Sequence, residues 1–380
     1  MLAVPLVAVF VLHADAAAMG YLMAAGLVPN LLFSLHAGGW VDRRGGRRRV
    51  MLAADLARGS LLATIPLAFF LGILTMGQLY LVAFLVGTAS VFFFVSYSTL
   101  FVSLVPRQDF VAANSLLNGS RAGAFIAGPG IGGVLVQLIT APLTVTVDAL
   151  SFFVSAATLL RIRPREPAAA GEDSSLLEGM RFIFRSQVIR SALGATATVN
   201  LFDFIFSALF ILYATTRLGL SAGLLGAVLA CAAVGSLAGS FATGRISRRI
   251  GIGPTFMVGC AVFPAPMLLV PLAGGPKPLV AAMLFLSELG AGFGVMLLDI
   301  SIASIFAAVI PDELRARVSG AYRTVNYGVR PIGSLLGGAL GTVLGLRSAL
   351  WIATVGGLLG VLWLLPSPVP RMRILPETPG

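Results

Sequence analysis

Charged residues are scarce in this sequence. Only 11% of its 380 residues are Asp, Glu, Lys or Arg, whereas 58% are hydrophobic and the mean hydropathy is +0.97. Soluble domains carry about 25% charged residues, and so few charges would not cover the surface of a soluble protein of this size. The composition therefore excludes a soluble globular protein and indicates an integral membrane protein with many spans.

Cysteine and histidine are also rare. The two cysteines, Cys231 and Cys260, lie inside apolar segments, so they give neither a disulfide framework nor metal-ligand spacing. His13 and His36 are too few for a histidine-based zinc site or a catalytic triad. No GxxxxGK(S/T) phosphate-binding loop is present either. We therefore expect no cofactor, no metal site and no enzymatic activity.

Most of the sequence consists of long apolar runs. A helix needs about 20 mostly apolar residues to cross a bilayer, and twelve such segments are visible, of which the first is short. They lack the alternating pattern of barrel strands, so they predict an all-α polytopic membrane protein. The predicted segments are 1–13, 16–38, 50–72, 78–103, 111–138, 142–161, 190–214, 221–244, 254–274, 279–307, 317–341 and 346–365.

The positive charges predict the orientation. The chain has 26 Lys and Arg against 15 Asp and Glu, and the positive residues occur in short bursts between apolar runs, not as a stripe that would bind nucleic acid. With a cytoplasmic N-terminus, nineteen of them fall in inner loops and the tail, and only Arg217, Lys277 and Arg347 in outer loops. We expect a multi-pass protein of the cell (inner or plasma) membrane with both termini cytoplasmic, in contact with anionic headgroups.

The chain repeats itself at an offset of 205 residues. Without gaps, this offset aligns Gly39 with Gly244, Arg43 with Arg248, Pro66 with Pro271, Gly87 with Gly292, Pro106 with Pro311, Gly128 with Gly333 and Gly133 with Gly338. Two six-helix bundles are therefore predicted at 1–161 and 190–366. Between them lies a cytoplasmic linker, 162–189, with a surface helix near 174–185, and a cytoplasmic tail follows at 367–380.

The offset also bears on the first helix. It places Met1 opposite Phe206, midway along the seventh segment. Because the seventh segment begins near Arg190, about 16 residues of the expected first helix are absent from the start of the sequence. We expect a mis-assigned start codon or a truncated chain in preference to a natural protein with a half-length first span.

The loop between the second and third segments carries a motif. It reads GGWVDRRGGRRRV over 38–50, and two six-span halves with this loop resemble the major facilitator superfamily, whose pattern is roughly GxxxDRxGRR. The resemblance implies a twelve-helix major facilitator fold in which Asp42 and Arg43 latch the halves together in the outward-facing state. For the triplet Arg47–Arg49 we favour a topological role. The matching residues are Gly38, Asp42, Arg43, Gly45, Arg47 and Arg48.

The fifth segment contains GPGIGG at 128–133. Within the superfamily this GPxxGG motif is associated with exporters of the antiporter type. Pro129 bends the helix by removing a backbone donor, and Gly128, Gly132 and Gly133 let a neighbouring helix pack closely. Ordinary small-residue packing is the alternative. The stretches 106–133 and 146–153 most resemble the branch of macrolide-efflux and enterobactin-exporter proteins.

Charged residues inside spans are costly and by default face the bundle interior or a cavity. Asp203 lies midway along the seventh segment and Glu288 in the tenth. Helices 1, 4, 7 and 10 line the central cavity in this superfamily, so the resemblance makes both acids candidate carriers of a proton or another cation. A carboxyl group in such a cavity can change its protonation with water access. A structural hydrogen bond or salt bridge is the alternative for each.

Two further pairs of charges lie nearer the inner face. Asp299 and Arg323, in the tenth and eleventh segments, are interpreted as an ion pair or gate element. Asp55 and Arg58 are predicted to pair locally at the membrane interface.

The fourth segment contains no arginine, which departs from the proton relay of many drug–proton antiporters in the superfamily. Its aromatic run instead suits a cavity wall for hydrophobic or aromatic cargo, with Phe94 and Tyr97 favoured; core or lipid packing is the alternative. Arg121 and Arg330 need partners within their spans, and Asp148 is one candidate.

The sequence favours a monomeric secondary transporter that exports a small hydrophobic or amphipathic molecule of the drug, macrolide or siderophore type by proton antiport. Its two bundles would rock about a site at the membrane midplane. An uptake symporter of the same fold is one alternative. A scaffold or sensor without transport activity is another.

Overall fold

The computed structural model describes residues 2–162 and 176–374, and the regular structure in these ranges is helical throughout. Six helices precede the linker. They are α1 (Ala3–Phe10), α2 (Ala16–Arg44), α3 (Arg47–Phe70), α4 (Met76–Leu104), α5 (Phe110–Ile139) and α6 (Ala141–Arg161). The later helices are α7 (Leu176–Arg185), α8 (Gln187–Thr216), α9 (Ala222–Ile250), α10 (Ile252–Val262), α11 (Leu269–Leu272), α12 (Lys277–Val309), α13 (Asp312–Val343) and α14 (Leu346–Leu358).

Ten helical stretches in the described residues are long and apolar enough to cross a membrane. Two predicted segments fall outside this set: α1 has only eight residues, and α13 carries charges along its length. All twelve predicted segments are nevertheless helical, which confirms the all-α polytopic fold. The charges of α13 are Asp312, Glu313, Arg315, Arg317, Arg323 and Arg330.

Proline and glycine set two local features. The ninth predicted segment is broken, because Pro264 and Pro266 lack the backbone donor that a continuous helix needs, and a 3₁₀ turn at Pro266–Leu268 separates α10 from α11. Between α2 and α3, Gly45 and Gly46 adopt φ angles of 61° and 67°. This left-handed conformation favours glycine, so the pair reverses the chain within two residues.

The helices define two ends of the molecule. The end at which α2 passes into α3 and α7 meets α8 is called the linker end, and the other is called the opposite end. Helices before and after α7 meet mainly where α2 packs against α13 and α5 packs against α9. Within the first group α3 packs against α4 and α6, and within the second α12 packs against α9 and α10.

The buried core differs between the two ends. At the opposite end one continuous cluster contains residues from both groups of helices, for example Leu79, Val145, Leu209 and Leu284. At the linker end the core divides into separate clusters, one of which joins α3, α4 and α6 while the others lie within the later helices. The two groups of helices are therefore joined through apolar packing at the opposite end and packed separately at the linker end.

Candidate transport pathway

Two carboxylates in the second group of helices lie near enough to interact electrostatically. Glu288 on α12 and Asp203 on α8 are both half-buried, and they act on each other electrostatically. Neither lies within ion-pair distance of a positive side chain in residues 2–162 and 176–374. A proton or another small cation placed near two such carboxylates would reduce their mutual repulsion.

A small cavity borders Asp203. Its volume is about 10 Å³, and it is lined mainly by apolar groups, including Phe202, Phe206 and Pro264, together with Thr354. A space of this size is about that of one water molecule. The carboxyl group of Asp203 therefore has room for a single water beside it, on the side of α10 and α14.

A ladder of polar side chains joins α8 to α13. The hydroxyls of Thr196 and Tyr322 are 2.5 Å apart. One turn further, Asn200 Nδ2 donates to Asn326 Oδ1 at 3.2 Å. One turn beyond that, Arg330 Nε donates to Asn200 Oδ1 at 3.1 Å. This α8–α13 ladder was not predicted from the sequence, although polar residues four apart on two facing helices were the available signal.

Arg330 is held by this ladder and by aromatic rings. Its guanidinium carbon lies 4.2 Å from the ring centroid of Tyr327 and 5.1 Å from that of Phe204. It acts electrostatically on Asp203 and on Asp299, but no described carboxylate is within ion-pair distance of it. The guanidinium of Arg330 thus has the side-chain amide of Asn200 and two aromatic rings as its partners, in place of a carboxylate.

The predicted pairing of Asp299 with Arg323 is absent from this conformation. Both side chains are exposed, and no ion pair joins them among the ranges that the structure describes. The ion pair predicted for Asp299 and Arg323 is therefore not formed in this conformation. Because both are accessible towards the linker end, each is free to form contacts in another conformation.

The aromatic residues of α4 divide into exposed and packed members. Phe94 is 60% exposed, whereas Tyr97 is half-buried and stacks on Phe93 with ring centroids 6.3 Å apart. The guanidinium carbon of Arg121 on α5 lies 5.0 Å from the Tyr97 centroid. Arg121 therefore has a ring as its partner, and Phe94 is the aromatic side chain most available to a ligand or to lipid.

The loop motif has one clear structural role. Arg48 Nε donates to the carbonyl of Leu159 at 2.9 Å, and its Nη2 donates to that of Leu160 at 2.7 Å. Because the last carbonyls of a helix have no partner within it, Arg48 caps α6 and ties it to the start of α3. Arg47 is buried. Arg48 therefore has a structural role besides any effect on topology, and for Arg47 the topological role stays a prediction. Gly38, Asp42 and Arg43 belong to α2, but the contacts of Gly38 and the side chains of Asp42 and Arg43 lie outside the described part of the structure.

Asp55 and Arg58 form the predicted ion pair, which is buried inside the first group of helices. Asp55 is 0% exposed and Arg58 is 6% exposed. Ser155 of α6 donates to the second carboxylate oxygen of Asp55 at 2.6 Å. The guanidinium carbon of Arg58 lies 4.3 Å from the centroid of Phe93 and 4.5 Å from that of Phe152. The pair thereby links α3, α4 and α6. Asp148, on α6, acts electrostatically on Arg58.

The GPxxGG motif makes its close contact through its last residue. A Cβ added at Gly133 would lie 2.9 Å from the Cα of Gly226 on α9 and 2.5 Å from the carbonyl oxygen of Ala222. No heavy atom of another helix lies within 4 Å of such a Cβ at Gly128 or Gly132. Close packing of α5 on α9 therefore depends on Gly133 alone among these three positions.

A matching contact joins α2 to α13. A Cβ added at Gly20 would lie 2.7 Å from the Cα of Gly338. Gly338 is the residue that the 205-residue offset aligns with Gly133. The internal repeat thus places a glycine contact at each of the two crossings that join the helix groups at the opposite end.

Comparison with protein families decides the classification. The family model described as the Major Facilitator Superfamily matches residues 1–334. The chain belongs to the major facilitator superfamily. Membership confirms the resemblance that the loop motif and the two six-span halves suggested, and the chain is therefore a polytopic membrane transporter.

Relatives of this major facilitator protein include named efflux pumps. It is 29% identical over 374 residues to the multidrug efflux pump Tap of Mycolicibacterium fortuitum, covering 92% of this chain and 87% of the relative. It is 28% identical over 357 residues to Tap of Mycobacterium tuberculosis, covering 86% and 79%. The MFS-type transporter YfiS of Bacillus subtilis is 27% identical over 371 residues, covering 92% and 84%.

Solved structures share the fold at low sequence identity. The nucleoside transporter NupG superimposes with a TM-score of 0.77 at 14% identity, covering 96% of this chain and 94% of that one. A bacterial homologue of ferroportin in an inward-facing state gives 0.75 at 14% identity, with the same coverage. These structures show that the chain has the same overall fold.

Proposed function

We propose that this chain exports small hydrophobic or amphipathic molecules by proton antiport with alternating access. The observation that carries the proposal is the pair of carboxylates, Glu288 and Asp203, which act on each other without a paired cation in the described part of the chain. A site that gains and loses a proton as its access to water changes can couple a proton gradient to cargo movement. The names of the relatives, multidrug efflux pumps, support the direction of transport.

The proposed conformational state follows from the core. The basic loops and α7 lie at the linker end, so we assign that end to the cytoplasm. The helices before and after α7 pack separately there and share one apolar cluster at the opposite end. The arrangement corresponds to an inward-open transporter whose two bundles, near 1–161 and 190–366, part on the cytoplasmic side.

Outward opening then requires the opposite end to separate. The glycine contacts of Gly133 with Gly226 and of Gly20 with Gly338 would break, and the cytoplasmic side would close. Asp42 and Arg43 are proposed to stabilise that closed cytoplasmic face. Exposed Asp299 and Arg323, near the same end, are available to take part.

Export driven by the proton gradient is the direct test. Cells that lack other efflux pumps and express this chain should accumulate less ethidium than cells with an empty vector. A proton uncoupler should abolish the difference. Equal accumulation with and without the uncoupler would contradict proton coupling, and higher accumulation on expression would indicate uptake.

The glycine contact offers a second test. In Gly133→Ala the added methyl meets the backbone of α9, so the inward-open state should lose about 1–3 kcal/mol relative to the outward-open state. Spin labels on α5 and α9 at the opposite end should report a longer distance, and export should slow. Gly128→Ala is the matched control, since its methyl meets no atom of another helix within 4 Å. If both variants behave alike, the motif does not act through this contact.

A further inference from the structure

Helix α7 is fixed against the later helices by one of its faces. Ile183 is fully buried in a cluster with Val318 and Ala321 of α13. Gly179 lies directly against the backbone of Arg317, where a Cβ would not fit, and Glu178 pairs with Arg317. These contacts fix the rotation of α7 about its axis. They thereby determine which of its side chains point away from the protein.

The outer face of α7 combines apolar and cationic side chains. Leu177 is 83% exposed and Phe184 is 59% exposed. Arg181 and Arg185 are exposed as well, and neither is in an ion pair within residues 2–162 and 176–374. Leu177, Arg181 and Arg185 are each four residues apart and Phe184 is three residues after Arg181, so the four residues form one stripe along the helix.

The stripe lies at the end of a membrane span. Only Ser186 separates the last residue of α7 from Gln187, where the apolar helix α8 begins. Arg190, in the first turn of α8, is exposed and donates from Nη1 to the carbonyl of Phe184 at 3.2 Å. A third guanidinium therefore stands beside the stripe, at the level where a bilayer has its headgroups.

We propose that the stripe of Leu177, Arg181, Phe184 and Arg185 is a docking surface for anionic phospholipids of the surrounding membrane. Phosphate groups bind the guanidinium groups of Arg181 and Arg185, and the two apolar side chains enter the adjoining acyl region. A neutral lipid satisfies only the apolar half of this surface, so the surface selects lipids with net negative charge. The docking is independent of the transported molecule and of the coupling ion.

Binding of a fluorescent phosphatidylglycerol to the detergent-purified full chain tests the proposal. An arginine near an anionic surface contributes about fivefold in affinity. Arg181→Gln with Arg185→Gln should therefore weaken binding by about 25-fold. Arg248→Gln with Arg249→Gln removes the same charge from exposed positions at the end of α9 and is the control. The control should bind as the parent does.

Three results would overturn the proposal: equal loss in the control and the α7 variant, equal binding of a fluorescent phosphatidylcholine, or full competition by soluble glycerol phosphate. The last would indicate an anion site in place of a lipid surface. Phe184→Ser should also weaken phosphatidylglycerol binding. An unchanged affinity would show that the apolar side chains do not contribute to lipid binding, which contradicts that part of the proposal. All substituted side chains are exposed, so unchanged thermal unfolding should show that the variants remain folded.

Discussion

Glu288→Gln is expected to reduce export driven by the proton gradient to the level of cells without the transporter. The amide has nearly the size of the carboxyl group but carries no titratable proton, so the site keeps its shape and loses its coupling function. Glu288 is in no ion pair among the residues described, so its replacement leaves no cation unpaired and the protein should fold normally. Efflux assays on energised vesicles, with purified yield and thermal unfolding in parallel, measure both properties.

This variant should distinguish coupling to the proton gradient from movement of the cargo through the protein. Cargo moving down its own gradient should still cross in Glu288→Gln vesicles, whereas an imposed proton gradient should no longer accelerate it. Glu313→Gln is the matched control, because Glu313 is an exposed residue of the first turn of α13. Unchanged gradient-driven export by Glu288→Gln would refute the role assigned to this residue and leave Asp203 as the remaining candidate.

Asp55→Ala is expected to be the most destabilising of the substitutions considered. It leaves the guanidinium of Arg58 buried between Phe93 and Phe152 without its ion-pair partner, and it removes the acceptor of the Ser155 hydroxyl. Breaking a buried ion pair by removing one partner costs about 3–5 kcal/mol. The melting temperature of the purified protein in detergent should fall accordingly.

An exposed pair supplies the control for this experiment. Asp312 and Arg315 are 2.5 Å apart with side chains that are 80% and 45% exposed. Because exposed ion pairs contribute less than about 1 kcal/mol, Asp312→Ala should change the melting temperature little. Adding Arg58→Leu to Asp55→Ala should recover most of the stability, since it removes the uncompensated buried charge. Equal effects of Asp55→Ala and Asp312→Ala would contradict the burial of the pair.

The sequence was sufficient for the fold because hydropathy acts locally. Each apolar run long enough to cross a bilayer has to satisfy its own backbone hydrogen bonds, so it forms a helix wherever it lies in the bundle. The repeat of Gly, Pro and Arg at one offset and the loop motif then identified the family. The main departure in the helices, the break between α10 and α11, lies at Pro264 and Pro266, where prolines were visible in the sequence.

The candidate site was predicted less completely. Glu288 and Asp203 were found because a charge inside an apolar run is conspicuous. Asn200 and Asn326 were missed, since uncharged polar residues are common in helices and gain meaning only when α8 faces α13. The Asp299–Arg323 pair was predicted only from how far each residue lies along its helix. Depth does not fix the rotation of each helix about its axis.

Composition and sequence pattern thus determined the helices, their order, the repeat and the membership of the major facilitator superfamily. Tertiary structure alone decided that Arg48 caps α6, that Asp55 and Arg58 are buried, and that Gly133 is the motif glycine in close contact. The physical reason is the range of the interactions. Helix formation depends on neighbours in sequence, whereas hydrogen bonds, ion pairs and close packing between helices depend on crossing points that no single segment encodes.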